Sequence, residues 1–410
     1  MTVSKPLLHI IGAGPWQVRT IERARAMGVR VLVSDGFEQR PGYALADLHE
    51  RADITNPEAT LAVARRHGIS GVLCDTTDNG VLTAAYVADA LGLPGISIEA
   101  ARCCTDKDRM TQVAARAGLR VPSTHRVRSI AEAWLASKSI GWPLVVKPVD
   151  NQSGRGVTKV DAEDRFAAAC EAAFAFSRSG AIAVQRHLDG PELIVDSIVI
   201  EGQVVRLGIG CKTPFTDNPT ISSRITYGED VPPAQADRID EVNRRLIQAL
   251  GLRQGLVHAE FIVAADGEPQ PIDVAARGGG VLIYPRVLPH VSGIDVMRAA
   301  IELALGRKPV GVRPDGQGRG ANIEFLRAGP GLLRAVDRLD EARALPGIDA
   351  IHLNVLPGQE LHRLTHKDHR LGFIVALAAS AEEAFKSSRM AAEHLDIRVD
   401  PEGGLVHEIL

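Results

Sequence analysis

Cysteine is sparse in this chain. Cys74, Cys103, Cys104, Cys170 and Cys211 are the five in 410 residues, and none belongs to a C-x-x-C pair. An odd count without paired spacing excludes a disulfide framework and the usual cysteine metal sites, and fits free thiols in a reducing cytoplasm. Basic excess is also missing: 47 Lys and Arg stand against 50 Asp and Glu, a formal net charge of −3. Nucleic acid and anionic membrane are therefore poor candidates for the main partner. No apolar run reaches the roughly 18 residues that a membrane span needs. The start, MTVSKPLLHIIGAGP, goes from Lys5 into a short strand and a glycine turn, unlike the apolar stretch and cleavage site of a signal peptide. What is there is an ordinary globular composition, 45% hydrophobic and 24% charged, in a chain too long for one core. Two or three domains are expected.

The N-terminal part alternates short apolar runs with amphipathic stretches: LLHII, a helix over Val18–Met27, VRVLVSD, a helix over Pro57–His67, GVLCD, and a helix over Gly80–Leu91. Near-continuous apolar strands with helices between them predict a covered parallel sheet, so the fold class is α/β. The turn GAGPWQ imitates a dinucleotide fingerprint, but Gln17 stands where the third glycine of G-x-G-x-x-G belongs. A domain of that shape serving another purpose is expected. From Thr105, TDKDRMTQVAARAG reads as a helix capped by that threonine, with Asp106 and Asp108 suited to its positive end. Further on, Ile130–Ser137 and Asp161–Ser177 read as helices, and ELIVDSIVIEGQVVRLGIG as two strands turning at Glu201-Gly202. A polar loop, CKTPFTDNPTISSRITYGEDVPP, precedes a helix over Ala234–Leu252. The Gly/Pro-rich GRKPVGVRPDGQGRG, 306–320, marks a domain boundary, and Ala381–His394 is the one clear helix beyond it.

Two constellations carry chemistry. PLVVKPVDNQSGRGVTKV puts Lys147 on an apolar strand ahead of a glycine-rich loop. A P-loop has its lysine after the glycines and a helix behind them, so a Walker A reading is excluded. Ser153, Gly154 and Gly156 can still offer backbone N–H groups to phosphate oxygens, with Lys147 adding a point charge. The plain alternative is a hairpin with a solvated lysine. The second constellation is HAEFIVAADGEPQPIDVAAR. A two-residue turn at Asp266-Gly267, counted outward, sets Glu260 opposite Asp273. Like charges in that position repel, which makes sense when a hard cation sits between them. Pro269 and Pro271 weaken the second strand, and a slip of one residue would separate the carboxylates.

With these pieces in order, the chain resembles the ATP-grasp superfamily over essentially its whole length, and within it carboxylate–amine ligases such as bacterial L-amino acid ligases. The resemblance rests on the Lys147–Gly156 segment, on VQRHLDGPELIVD in the place of an adenine hinge, on HAEF followed by IDVAARGGG, and on SGIDVMRAAIELALG. RLGFIVALAASAEEAFKSSRMAAEH looks like the closing module of such ligases. It implies a three-domain architecture: a Rossmann-like domain over 1–104, an ATP-grasp domain over 105–310 with a lid at about 121–187, and a C-terminal module over 311–410. Carried over by position, Lys107 and Lys147 hold phosphates, and Gly154 and Gly156 cover them. Gln185, Arg186 and Leu188 meet adenine, Glu192 the ribose, Glu260 and Asp273 one or two Mg²⁺ ions, and Arg277 the reacting groups. The second metal strand departs from the family pattern, since Ala275 replaces an asparagine ligand.

The implied reaction is ATP-dependent amide formation through an acyl phosphate in the cytoplasm, and since relatives of this kind are often dimers a homodimer is one assembly open to the chain. Its partners are small-molecule carboxylate and amine substrates, with neither nucleic acid nor membrane. His258, Arg224, Gly278 and Gly279 are candidate substrate residues, and the Lys212–Arg224 loop a candidate substrate wall. His362, His366 and His369 suggest a metal but lack a ligand pattern. Two alternatives stay open: a ligase activating bicarbonate or a purine-pathway carboxylate, and a nucleotide-binding protein that has lost its chemistry.

Overall fold

The computed structural model describes residues 5–229 and 231–401. Its first layer is built from β1 (Leu7–Ile11), α1 (Val18–Ala26), β2 (Arg30–Asp35), β3 (Leu48–Arg51), α2 (Pro57–His67), β4 (Gly71–Leu73) and α3 (Val81–Leu91). The strands form a parallel sheet in the order β3-β2-β1-β4. β1 is buried at all five positions, as a strand covered on both faces must be. β3 is the edge, and its alternation of half-buried and exposed residues explains why LHER does not read as a strand. α4 (Ile98–Cys104) and α5 (Lys107–Arg116) follow. The cap expected at Thr105 belongs to Asp106, whose carboxylate accepts the N–H groups of Asp108 and Arg109. Thr105 instead closes α4, donating its hydroxyl to the Ala101 carbonyl. A carboxylate gains more from the helix N-terminus than a hydroxyl does.

A small lobe comprises β5 (Thr124–Val127), α6 (Ile130–Ile140), β6 (Leu144–Pro148), β7 (Thr158–Val160), α7 (Phe166–Phe176) and β8 (Ile182–Arg186). Its antiparallel sheet runs β5-β8-β6-β7, and both helices cover one face through Phe166, Leu144 and Val184. Trp134 and Trp142 set their edges against Phe166.

The main sheet begins with β9 (Glu192–Ile200) and β10 (Gln203–Phe215), joined at Glu201 and Gly202, whose φ values of 52° and 82° make a type I′ turn. The stretch read as a polar loop is a hairpin, because β10 runs on to Phe215 and β11 (Asn218–Tyr227) returns beside it. Register slips at Pro214 and Phe215 hide the alternation that would have revealed it. α8 (Pro233–Ala249), β12 (Gly255–Val263), β13 (Pro269–Ala275), α9 (Leu288–Ser292) and α10 (Val296–Ala304) come next. After the connector lie β14 (Gly320–Leu326), β15 (Gly331–Asp337), α11 (Leu339–Arg343), β16 (Ile348–Leu353), β17 (Glu360–Leu361), β18 (Gly372–Ala378), α12 (Ala381–His394) and β19 (Asp396–Pro401). β14 bonds directly to β11, so one sheet of eight strands, β13-β12-β9-β10-β11-β14-β18-β16, crosses the Gly/Pro-rich connector. The molecule is a mixed α/β protein with a parallel-sheet N-terminal domain and a C-terminal sheet module. Among the described residues no helix is long and apolar enough to cross a membrane.

Helix α10 ties the N-terminal domain to the rest. It packs against β4 so closely that a Cβ on Gly71 would lie 2.2 Å from the Ala304 carbonyl oxygen. Backbone cannot yield as a side chain can. Gly71→Ala is expected to lower unfolding stability by about 1–3 kcal/mol, read from urea denaturation.

Candidate active site

The hairpin of β12 and β13 sets Glu260 opposite Asp273. It does so by a route that the sequence count does not describe. The turn has three residues rather than two: Ala264 bonds Glu268, and Gly267 closes the loop at φ 83°. Phe261 therefore pairs with Pro271, and Ile272 bulges before Asp273. Two irregularities of one residue each cancel at the carboxylates.

Each acid meets a different ammonium. Lys107 Nζ lies 3.0 Å from Asp273 Oδ2, and Lys212 Nζ lies 2.8 Å from Glu260 Oε1. Lys212 also pairs with Glu192, so one buried cation joins two of the predicted site residues. Burial alone would raise the Glu260 carboxyl, but the charges of Lys212, Lys367 and His258 together outweigh it and hold the group well below the ordinary range. Lys107 is pushed down by burial and raised further by Asp273, with a net upward shift. Lys147 differs. Its Nζ donates only to the Ile272 carbonyl, at 3.3 Å, and among the described residues no carboxylate stands within 4.0 Å. Burial, with the Lys107 charge beside it, takes its ammonium down to about 8.

Arg277 is held from the N-terminal domain. Its Nε and a terminal nitrogen donate to the two Asp78 oxygens at 2.8 and 3.1 Å, and the other nitrogen donates to the Gly278 carbonyl. His258 is fixed by Asp196, Nδ1 to Oδ1 at 2.7 Å, and Tyr227 donates to the second Asp196 oxygen. That leaves His258 Nε2 facing Glu260 Oε1 at 3.8 Å.

Two chambers meet around this cluster. The first, about 1000 Å³ including its mouth, lies between the small lobe and the β12–β13 hairpin. Lys107, Lys147, Ser153, Gly154, Gln185, Arg186, Leu188, Glu192, Glu260 and Asp273 all border it. The second, about 1460 Å³, is bordered by Arg277, His258, Gly280, Trp16, Phe373 and Arg370. Gln152, Ser153, Lys212, Glu260 and Lys367 border both.

Four predicted positions sit elsewhere. Gly156 backs onto α7, where a Cβ would stand 3.2 Å from the Ala172 oxygen. Gly278 donates its N–H to the Asp75 carbonyl and lies on the Tyr284 ring, and Gly279 packs against Ile283 and His258. These two are glycines because the chain packs on itself there. Arg224 is not brought to either chamber; its guanidinium lies 4.6 Å over the Phe385 ring of α12. His366 and His369 stack at 3.7 Å, yet among the described residues no group of three or more His, Cys, Asp or Glu gathers as a metal cluster.

Sequence reasoning misses Lys367, Asp78 and Arg370, and names Lys212 only as the start of a candidate substrate wall, not as the partner of Glu192 and Glu260. A count outward from Glu201-Gly202 would find a partner for Glu192, but it reaches Cys211. A bulge at Leu207 moves Lys212 into that place.

Residues 140–284 match the ATP-grasp domain family, and residues 324–400 match the L-amino acid ligase C-terminal domain 2 family. Protein y4rH of Sinorhizobium fredii is 28% identical over 93% of this chain and 80% of its own length. Alanine–anticapsin ligase of Bacillus subtilis is 25% identical over 65% of this chain and 60% of its own. In fold, the L-amino acid ligase from Bacillus licheniformis superposes with a TM-score of 0.82 at 23% identity, covering 97% of this chain and all of that one (100%). The chain carries an ATP-grasp domain and an L-amino acid ligase C-terminal domain, and its relatives include ATP-dependent ligases that form C–N bonds.

Proposed function

We propose that the protein activates a small carboxylate with ATP and joins it to an amine, with amino acids as the substrate class. In this reading a substrate carboxylate oxygen attacks the γ-phosphorus, giving an acyl phosphate and ADP. The amine nitrogen then attacks the acyl carbon, phosphate leaves, a proton is lost, and an amide remains. One observation carries the reading: Glu260, Lys212, Lys367, Gln152 and Ser153 border both chambers, so a nucleotide on one side and an acceptor on the other would share a charged strip. The match to an L-amino acid ligase C-terminal domain supports it over bicarbonate or purine-pathway substrates. The domain limits 1–104, 105–310 and 311–410 belong to the same reading.

Phosphoryl transfer asks mostly for positioning and charge neutralisation. Lys107 and Lys147 would hold phosphate oxygens, and the amides at Ser153 and Gly154 would cover them. Gln185, Arg186 and Leu188 would take the adenine; Glu192, one oxygen already on Lys212, would offer the other to the ribose. Glu260 and Asp273 supply the hard oxygen donors that Mg²⁺ prefers, and phosphate oxygens and water would complete the shell. Ala275 carries no donor, so one protein-held ion is proposed. When bound, that ion neutralises phosphate charge. Arg277, its plane set by Asp78, would stabilise the oxyanion that develops when the amine attacks.

The ligase reading predicts substrate-dependent ADP release across a panel of amino acids, with the amide seen by mass spectrometry; ATP binding without any stimulated ADP release would overturn it. Arg277→Lys keeps the charge and loses the fork, and is expected to cut turnover about 100-fold or more with ADP affinity retained. Lys147→Met is expected to abolish turnover yet stabilise the nucleotide-free fold. The wild-type ammonium is buried without a counter-charge, and its pKa falls from 10.5 to about 8. The folded state therefore holds this proton less tightly than the unfolded chain, and wild-type stability rises with pH between those values. The Met variant should gain about 1–3 kcal/mol at pH 7, an advantage that fades as pH climbs toward 10.5, read from urea melts along a pH series.

A further inference from the structure

Arg370 is the most unusual charge in the molecule outside the residues already assigned. It borders the second chamber at 4% exposure, with its guanidinium carbon 3.4 Å over the centre of the Phe325 ring. An arginine has five N–H donors and no means of shedding its charge. Here one terminal nitrogen donates to the Ser222 carbonyl at 2.6 Å, while Nε is buried with no acceptor. No carboxylate answers it among the described residues. Asp368, the nearest in sequence, is taken by Arg155 at 2.6 Å, and Glu324, beside Phe325, is taken by Arg389 at 3.3 Å.

A purely structural arginine uses its donors on carbonyls or acids, because leaving them buried and unanswered is costly. Arg370 is clamped in place by Ser222 and Phe325 but not neutralised. Lys367, three residues earlier, repeats the pattern: it borders both chambers and, among the described residues, has no ion-pair partner within 4.0 Å. The Lys212 charge, and burial after it, push the Lys367 ammonium down, and burial pushes the Arg370 guanidinium down. Both shifts have the sign of cations short of an anion. Trp16 and Phe373, with ring centres 5.9 Å apart, give the same chamber an apolar wall.

We propose that Arg370, flanked by Lys367, binds an oxyanion of the substrate that takes no part in the bond being formed. The ligand class is an amine carrying a second, unreacting carboxylate or phosphate on an apolar body, as in an amino acid or short peptide with its carboxylate free. The proposal rests on the ligase reading for its reaction, but its test reads binding and needs no turnover.

The full chain, its first chamber filled with Mg²⁺ and a non-hydrolysable ATP analogue, is titrated calorimetrically with matched probes. One arm uses L-amino acids and alanyl dipeptides against their carboxamides; the other uses O-phosphoserine and phosphoethanolamine against serine and ethanolamine. In the wild type, acids of one arm should bind at least 10-fold tighter than their neutral counterparts, and the arm that responds identifies the oxyanion. Arg370→Gln should collapse that preference with affinity for the analogue unchanged, and Lys367→Met should reduce it. Lys367→Met removes no ion pair and so guards against misfolding of the first variant. Equal binding of acids and neutral probes, a preference surviving in Arg370→Gln, or no binding by any probe would overturn the assignment. A preserved preference in a protein that releases no ADP with any substrate would instead sink the ligase reading and leave the oxyanion site standing.

Discussion

Glu260 and Asp273 are fixed side by side by the hydrogen bonds of a β-hairpin, and neither can withdraw without breaking strand register. Two unit charges about 4 Å apart in protein surroundings interact by roughly 4 kcal/mol, a large fraction of a domain's stability. The fold answers with ammonium groups drawn from separate parts of the chain: Lys107 from the first turn of α5, and Lys212 from β10. Lys147 on β6 and Lys367 in the C-terminal module stand nearby with no acid of their own. Counting Glu192, which shares Lys212, four ammonium groups face three acids, and Lys147 and Lys367 have none within 4.0 Å among the described residues. That imbalance makes the cleft attractive to polyanions, and it forces the small lobe, the main sheet and the C-terminal module to converge on one place.

Much of this was legible in the sequence because it is local. Apolar runs and helical periodicity marked the parallel sheet, and α2 and α12 lie where their patterns put them. The Lys147 strand and its glycine loop, and the acids of the β12–β13 hairpin, are each contained within a couple of dozen residues. The carboxylate pairing was reached although the turn was miscounted, since the bulge at Ile272 restores the register that a three-residue loop removes. At β9–β10 a single bulge had nothing to cancel it, and the partner of Glu192 was lost by one residue.

What stayed hidden depends on distance along the chain. Asp78 and Arg277 meet across 199 residues, and no spacing rule links them. Arg370 and Lys367 sit in a short polar stretch whose histidines attract the eye, yet its two cations are the residues that turn inward. Burial there is decided by the sheet that continues past residue 320, and a Gly/Pro-rich connector gives no hint of that continuation. Arg224 errs the other way: a charged residue in an apparent loop was free to be imagined anywhere, whereas strand β11 commits it to α12.

The glycine-rich loop is stitched to the far end of the chain. The Lys367 N–H donates to the Ser153 carbonyl at 3.2 Å, and Arg155 grips Asp368. Lifting the loop away from the turn at 367–369 breaks both stitches, so its closed position is held by residues at least 213 positions further along the chain.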